Sequence, residues 1–379
     1  MRALLEARNR SLLRDLVQLG DSLASSGIPS ELEPYRKRLL TVCDTFRKQC
    51  ERNVKDLDRG RDEILEDVLS NTQQATQAVR LLSAKLATPV LRASSEDRLC
   101  LKTISWLHGC HGVTASLPAA FADGECAIWP FLGIAPVHFF PSAEQRGLLY
   151  QPLYFHEFGH LLYACHKPEM DDLVRDLQKA IEDLLKPAAE RNDRHSAAKA
   201  EERQAIAYTW YRWAQELFCD MVGLTIGGPC FLRAFSGYLG TMDRGDFYRE
   251  PDDLRFSTHP VKWLRIKLLI ERAKGAGFAE VARDAEEEWK TVATTMGVSE
   301  DYHGFYDKTF EVAVLKTLDD MLIEAGPRSC SGSEASVERD AGRTDSIVAV
   351  LNEAWQVYIS DSSGYPSWEA ATLRKLLAG

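Results

Sequence analysis

The residues with the clearest capacity for chemistry lie in one pentapeptide, His-Glu-Phe-Gly-His at residues 156–160. The surrounding segment is apolar at helical spacing, so His156 and His160 are expected on one face of a helix. Two imidazoles placed in this way can bind a single metal ion at about 2.0–2.1 Å. Glu157 then acts on a water at that position as a general base. The alternative for the pentapeptide alone is a structural pair of partly buried histidines.

A pair of carboxylates, Glu216 and Asp220, follows on a second predicted helix of about residues 199–224. Both lie on one helical face among apolar residues, and a buried carboxylate needs a partner. A metal ion and a metal-bound histidine would supply those partners. We therefore predict Glu216 as the third ligand, which leaves one open position, and Asp220 as the acceptor of a ligand histidine's outer N–H. The alternative is a solvated acidic pair.

A third motif, Ser-Thr-His-Pro at residues 257–260, is followed by Arg265. The three motifs in this order resemble those of the gluzincin metallopeptidases, and within them those of the HtpX-like proteases and CAAX prenyl proteases. The similarity spans about residues 140–275. Cys219 stands where that group usually has alanine, and Val261 where it usually has a second proline. No apolar run reaches the length of the membrane helices common in that group.

The resemblance implies one zinc ion per chain, bound by His156, His160 and Glu216. It implies that Glu157 polarises the attacking water and that Asp220 supports a ligand histidine.

It also places His259 and Arg265 at the substrate side, where one stabilises the oxyanion and the other orders the Glu216 region. We predict His259 as the oxyanion donor, at the N-cap of a helix that its neighbouring proline opens. Arg265 is predicted to pair with a carboxylate of the Glu216 helix.

The fold is predicted to be mainly α-helical, of α+β type, with a gluzincin-type core and a small β-sheet beside the active-site helix. Residues 124–141 supply the sheet, in the place where gluzincins pair a strand with an extended peptide. The predicted organisation is a helical N-terminal bundle or coiled-coil module at residues 1–90, a metallopeptidase core at 91–325, an exposed loop at 326–345 and C-terminal helices at 346–379 that pack on the core.

Local signals predict where individual helices begin and end. Gly20 is expected to end the first helix, Ser142 with Gln145 to open another through a capping box, and Pro168 to stop the active-site helix. A loop is expected at residues 188–198. Further helices are predicted over about residues 31–70, 72–86, 151–166, 171–185, 199–224 and 261–275.

Composition excludes several classes of function. The 379 residues carry a net charge of −10, the opposite of the balance typical of a protein that coats nucleic acid, so no nucleic acid is expected as a partner. No apolar run is long enough for a transmembrane segment. Nine cysteines without CxxC spacing, and an N-terminus unlike a signal peptide, favour reduced thiols in the cytoplasm.

The function predicted is that of a zinc-dependent metalloprotease that hydrolyses peptide bonds, with a peptide or protein as substrate. One alternative is a catalytically silent regulatory or interaction protein that keeps the HExxH domain. Another is a zinc hydrolase of non-peptide amides. The N-terminal helices are either a bundle with solvated charged faces or a surface for a protein partner.

Overall fold

The computed structural model describes residues 1–60, 63–114, 117, 119–122, 124–130, 135–142, 145–186, 194–336 and 346–378. Within these ranges the protein is mainly α-helical with one small sheet, as predicted. The chain divides into two compact units, Met1–His108 with Ser116–Arg146, and Gly109–Ala115 with Gly147–Gly379. The domain boundaries predicted from the sequence are not decided by this division and stay predictions.

The first unit contains the N-terminal helices and the sheet. Its elements are α1 (Arg2–Ser25), α2 (Glu33–Asp58), α3 (Leu65–Leu81), α4 (Thr88–Leu91), α5 (Arg98–Cys110, which ends in the second unit), β1 (Ala120–Ala122), β2 (Ala127–Trp129) and β3 (Val137–Phe140).

Helices α1, α2 and α3 pack on one another around buried leucines and a buried polar cluster. In that cluster Asn9 Nδ2 donates to Thr72 Oγ1 at 2.8 Å, and Asn53 Nδ2 donates to Asn9 Oδ1 at 3.0 Å. Each partner lies on a different helix, so the bonds fix the register of the three helices while satisfying groups that burial would otherwise leave unpaired.

The predicted helix boundaries were wrong at two glycines of this unit. Gly20 does not end α1, which continues to Ser25 because Leu16 and Leu23 remain buried on its packed face. That packing outweighs the cost of about 1 kcal/mol for a helical glycine. The segment predicted as one helix over residues 31–70 is instead α2 and α3. Gly60 has φ +74°, the left-handed conformation that follows a helix end.

The sheet has the order β1-β3-β2, with β1 parallel and β2 antiparallel to the central β3. His138 on β3 pairs with Ala120 on one side and Ile128 on the other. The sheet belongs to the first unit, so its predicted place beside the active-site helix stays a prediction. Residues 131–134 of the predicted strand segment lie outside the described residues.

The capping box predicted at Ser142 and Gln145 is wrong, since both residues lie in turns and the next helix begins at Leu153. The Gln145 side chain instead donates to the Asp97 carboxylate, and residues 143–144 lie outside the described ranges. This long-range bond replaces the local one that a capping box needs.

The second unit contains the remaining helices. They are α6 (Leu153–Cys165), α7 (Lys167–Leu185), α8 (Arg194–Gly227), α9 (Pro229–Leu239), α10 (Pro251–Phe256), α11 (Lys262–Gly275), α12 (Ala279–Met296), α13 (Glu311–Ala325), α14 (Gly332–Ala335), α15 (Ile347–Ser360) and α16 (Tyr365–Leu377).

Helix α6 is the buried centre of this unit. Every residue from Leu153 to Tyr163 except His160 is buried, which is the pattern of a helix covered on all sides. Its most extensive packing interface is with α8. Four further helices pack around this pair: α7, α9, α11 and α13. A helix held in this way is a rigid support for functional side chains.

Three further sequence predictions change in this unit. The helix predicted over about residues 151–166 is confirmed as α6, which ends at Cys165. Pro168, predicted as its stop, lies in the first turn of α7, where its missing N–H is tolerated. Part of the predicted loop at 188–198 is helical, because α8 begins at Arg194, and residues 187–193 lie outside the described ranges.

The predicted exposed loop at 326–345 contains the short α14, and its residues 337–345 also lie outside. Among the described residues, no helix combines the length and apolar character that crossing a membrane requires.

Candidate metal centre

Helices α6 and α8 approach most closely where Gly159 faces Cys219. A Cβ atom on Gly159 would stand 2.7 Å from Cys219 Cα and 3.1 Å from its Sγ, which is too close for any side chain. Glycine at this position therefore allows the two backbones to come together. The approach brings the histidines on either side of Gly159 within reach of the acidic side chains of α8.

The two histidines of α6 and one carboxylate of α8 form a compact set of donors. Ligand atoms of His156, His160 and Glu216 all lie within 4.8 Å of one another. Nε2 of His156 is 3.5 Å from Glu216 Oε2, and Nε2 of His160 is 3.7 Å from Glu216 Oε1. In the part of the chain that the structure describes, this is the single group of three or more such side chains arranged in this way.

The opposite nitrogens of both rings face other residues of α8. Nδ1 of His156 lies 2.9 Å from Asp220 Oδ1, and Nδ1 of His160 lies 3.3 Å from Cys219 Sγ. Each ring thus turns Nδ1 towards a neighbour and Nε2 towards Glu216. Histidines that bind metals are typically held in this manner by a partner at the other nitrogen.

Arg265 on α11 forms buried ion pairs with the carboxylates of α8. Its Nε and Nη2 donate to the two oxygens of Asp220 at 2.8 and 2.6 Å, and Nη2 also lies 3.5 Å from Glu216 Oε2. Both members of this bidentate pair are buried, with exposed fractions of 4% for Arg265 and 0% for Asp220. Arg265 therefore contacts the carboxylates of the Glu216 helix, the position proposed for it from the sequence.

The nearly buried charges do not balance among themselves. The three carboxylates of Glu157, Glu216 and Asp220 face one guanidinium, that of Arg265. With both imidazoles neutral, as metal ligands must be, two negative charges are left when all the carboxyls are ionised; a proton on His156 cancels one of them. Uncompensated buried charge is costly, so the site favours a cation. A divalent ion among the three donors would neutralise it.

The pKa value of each group in the site follows from its burial and from the charges of its neighbours. Burial by itself lowers the pKa of His156, but the Asp220 and Glu216 carboxylates outweigh burial and raise it to about 9. Burial by itself raises the pKa of Glu216, but its contacts with His156 and His259 outweigh burial and hold the pKa far below its usual range. Burial and the neighbouring His156 lower the pKa of His160 to about 4.

Glu157 lies on α6 between the two histidines and is itself buried. It is not a member of the close donor set. Burial, followed by the charge of Glu216, raises its pKa above that of an exposed glutamate. A carboxylate with a raised pKa is a better acceptor for a proton near neutral pH.

His259 lies in the loop between α10 and α11 and reaches the same carboxylate. Its Nε2 is 3.2 Å from Glu216 Oε2, and its Nδ1 lies 2.8 Å from Thr258 Oγ1. Arg249 Nη1 donates to Ser257 Oγ at 2.6 Å, and Ser257 Oγ donates to the His259 carbonyl at 2.5 Å. The loop is thus held by side chains, and the imidazole stays half-exposed.

The predicted N-cap position of His259 is wrong. Helix α11 begins at Lys262, with Val261 as its N-cap, so Pro260 precedes the helix instead of opening it. Val261 has ψ 136°, an extended conformation that separates the loop from the first helical turn. His259 therefore reaches the site through the loop and not through the end of a helix.

Two features of the site were not predicted from the sequence. Phe235 on α9 stacks on the His156 ring at 5.5 Å between centroids, and the Arg265 guanidinium lies 4.9 Å from the Phe235 ring centre. The approach of Gly159 to Cys219 is the other. Its sequence signal is the series of small residues Cys219, Gly223 and Gly227, which recur every fourth position on α8 and admit close neighbours.

Comparison with models of known families, with curated proteins and with solved structures finds no match to this chain.

Proposed function

We propose that this protein is a zinc-dependent hydrolase of peptide bonds. The observation that carries the proposal is the mutual approach of His156, His160 and Glu216 within 4.8 Å, beside buried carboxylates that outnumber the one buried guanidinium. Two imidazole nitrogens and one carboxylate are the donor set of catalytic zinc sites with an open position. The buried Glu157 beside them supplies the base that hydrolysis needs.

The roles of the residues follow from their contacts. When bound, zinc lowers the pKa of a water and polarises the carbonyl under attack. Glu157 takes the proton of the attacking water and later delivers it to the leaving amine. Asp220 and Arg265 hold His156 and Glu216 in place. His259, half-exposed on the rim, donates to the developing oxyanion once Glu216 is engaged by the metal.

The test measures metal content and hydrolysis together. Purified protein should contain about one zinc per chain, and its cleavage of a peptide library, read by mass spectrometry, should stop on chelation and return with zinc. Glu157→Gln should lose cleavage by about 10²-fold or more and keep zinc, since Glu157 serves the water and not the metal. Glu216→Ala should lose zinc. Glu288→Gln, an exposed glutamate on α12, is the matched control and should change neither.

Other outcomes identify the competing functions. Zinc at full occupancy with no cleavage of any peptide would favour a silent regulatory protein, and products from small amides alone would favour a non-peptide hydrolase. Full metal content in Glu216→Ala would contradict the proposed ligand set.

The proposed compartment is the cytoplasm, and the N-terminal helices are proposed to receive a protein partner. Fractionation of cells and cross-linking of residues 1–90 test these two points.

A further inference from the structure

We propose that Cys219 is the positioning residue of His160: its sulfur accepts the hydrogen of His160 Nδ1 and so leaves the Nε2 lone pair directed at the metal position. The two atoms lie 3.3 Å apart, within the range of a hydrogen bond to sulfur. This inference rests on the proposed function, because it assigns to His160 the tautomer that a metal ligand requires. Asp220 already holds the other histidine, and Cys219 is its counterpart one position earlier on α8.

The distances on the two sides of the His160 ring differ, and the contact with Cys219 can run in either direction: the ring nitrogen donates to the sulfur, or the thiol donates to the ring nitrogen. A neutral imidazole carries one ring hydrogen, on Nδ1 or on Nε2. Nε2 lies 3.7 Å from the nearest Glu216 oxygen, beyond the usual hydrogen-bond distance of about 3.2 Å. Nδ1 has the Cys219 sulfur at 3.3 Å. A thiol that donated to Nδ1 would place the ring hydrogen on Nε2, where Glu216 is too far away to accept it and where it would occupy the lone pair that a metal needs. We therefore assign the hydrogen to Nδ1.

Helix packing explains why a cysteine performs this task. Gly159, next to His160 on α6, has no side chain because the Cys219 backbone occupies the space. Between helices this close, the short thiol side chain already lies 3.3 Å from His160 Nδ1.

A thiol also adds no charge. Asp220 is already paired with Arg265, and a further carboxylate here would have no counter-ion. The sulfur is fully buried, so the bond does not compete with bulk water.

The experiment compares Cys219→Ala and Cys219→Ser with a matched control, Cys230→Ala. Cys230 is an equally buried thiol on α9 whose sulfur donates to the Gly227 carbonyl at 3.2 Å, away from the histidines. Zinc affinity is measured by competition with a fluorescent chelator. The His160 tautomer is read from ¹⁵N NMR of the metal-free, histidine-labelled protein, with His160→Ala identifying the resonances.

Cys219→Ala should weaken zinc binding by about tenfold, the lower end for loss of an outer partner, and should move the His160 hydrogen towards Nε2. Cys219→Ser, which restores an acceptor, should recover the Nδ1–H tautomer and part of the affinity. Cys230→Ala should leave both unchanged, even if it lowers the melting temperature. A general loss of packing would not shift the tautomer.

Cys219→Ala with wild-type zinc affinity and an unchanged tautomer would overturn the inference. If Cys219→Ala does not fold, the test rests on Cys219→Ser. A His160 hydrogen on Nε2 in that variant would contradict the proposed bond. If the wild-type protein binds no zinc, the proposed function fails. The NMR of the metal-free protein still decides the bond between His160 and Cys219, so the two failures are distinguishable.

Discussion

Replacing Gly159 with alanine tests whether the close approach of α6 and α8 builds the metal centre. The new methyl group would stand 2.7 Å from Cys219 Cα, whereas two carbon atoms are in favourable contact at about 3.5–4.0 Å. The helices must therefore separate locally by about 1 Å. Overpacking of this kind costs about 1–3 kcal/mol. The gain in helix propensity from glycine to alanine returns about 1 kcal/mol.

The unfolding free energy is thus expected to fall by only about 0–2 kcal/mol, while the metal site is affected far more. Metal–ligand distances tolerate shifts of about 0.2 Å, and a separation of about 1 Å exceeds that. We expect zinc affinity to fall by about 10–100-fold, as when a partner of a ligand histidine is lost.

The assays are chelator competition for zinc affinity and urea denaturation of the metal-free protein for stability. Gly20→Ala is the matched control, because Gly20 is also a helical glycine but a Cβ there meets nothing within 4 Å. It should stabilise the protein by about 1 kcal/mol and leave zinc affinity unchanged. Wild-type zinc affinity in Gly159→Ala would refute the reasoning.

Three further predictions concern other buried polar groups. Asp220→Asn should keep the shape of the site yet weaken zinc binding by about 10–100-fold, because Arg265 and His156 lose their anion; unchanged affinity in a chelator titration would contradict this role. Asn9→Ala should lower the unfolding free energy by about 1–3 kcal/mol through the unpaired groups it leaves on Thr72 and Asn53, with zinc content unaltered. The pKa of Glu334 is lowered to about 2, because its contacts with Arg328 and nearby serines outweigh the effect of burial, so the stability it contributes is present above about pH 4.5 and lost as pH falls towards 2. Glu334→Gln should flatten the acid limb of a stability–pH curve in that window, and a limb as steep as that of the wild type would exclude the contribution.

The sequence by itself determined the mainly helical fold and the residues that meet at the candidate centre. Apolar positions at helical spacing are a local property, so the existence of α6, α8 and α11 could be predicted from it. The four-residue separation of His156 from His160, and of Glu216 from Asp220, fixes each pair on one helical face whatever surrounds it. Side chains that meet because they lie on the same helix could therefore be predicted from the sequence.

Helix ends and the partners between helices were decided by the tertiary structure. Gly20 and Gly60 are the same residue type, yet α1 continues through one because its packed face continues, and α2 ends before the other. The contacts of Gly159 with Cys219, and of Phe235 with His156, join residues far apart in sequence. No local pattern encodes such pairs, because their energy arises only when separate helices pack against each other.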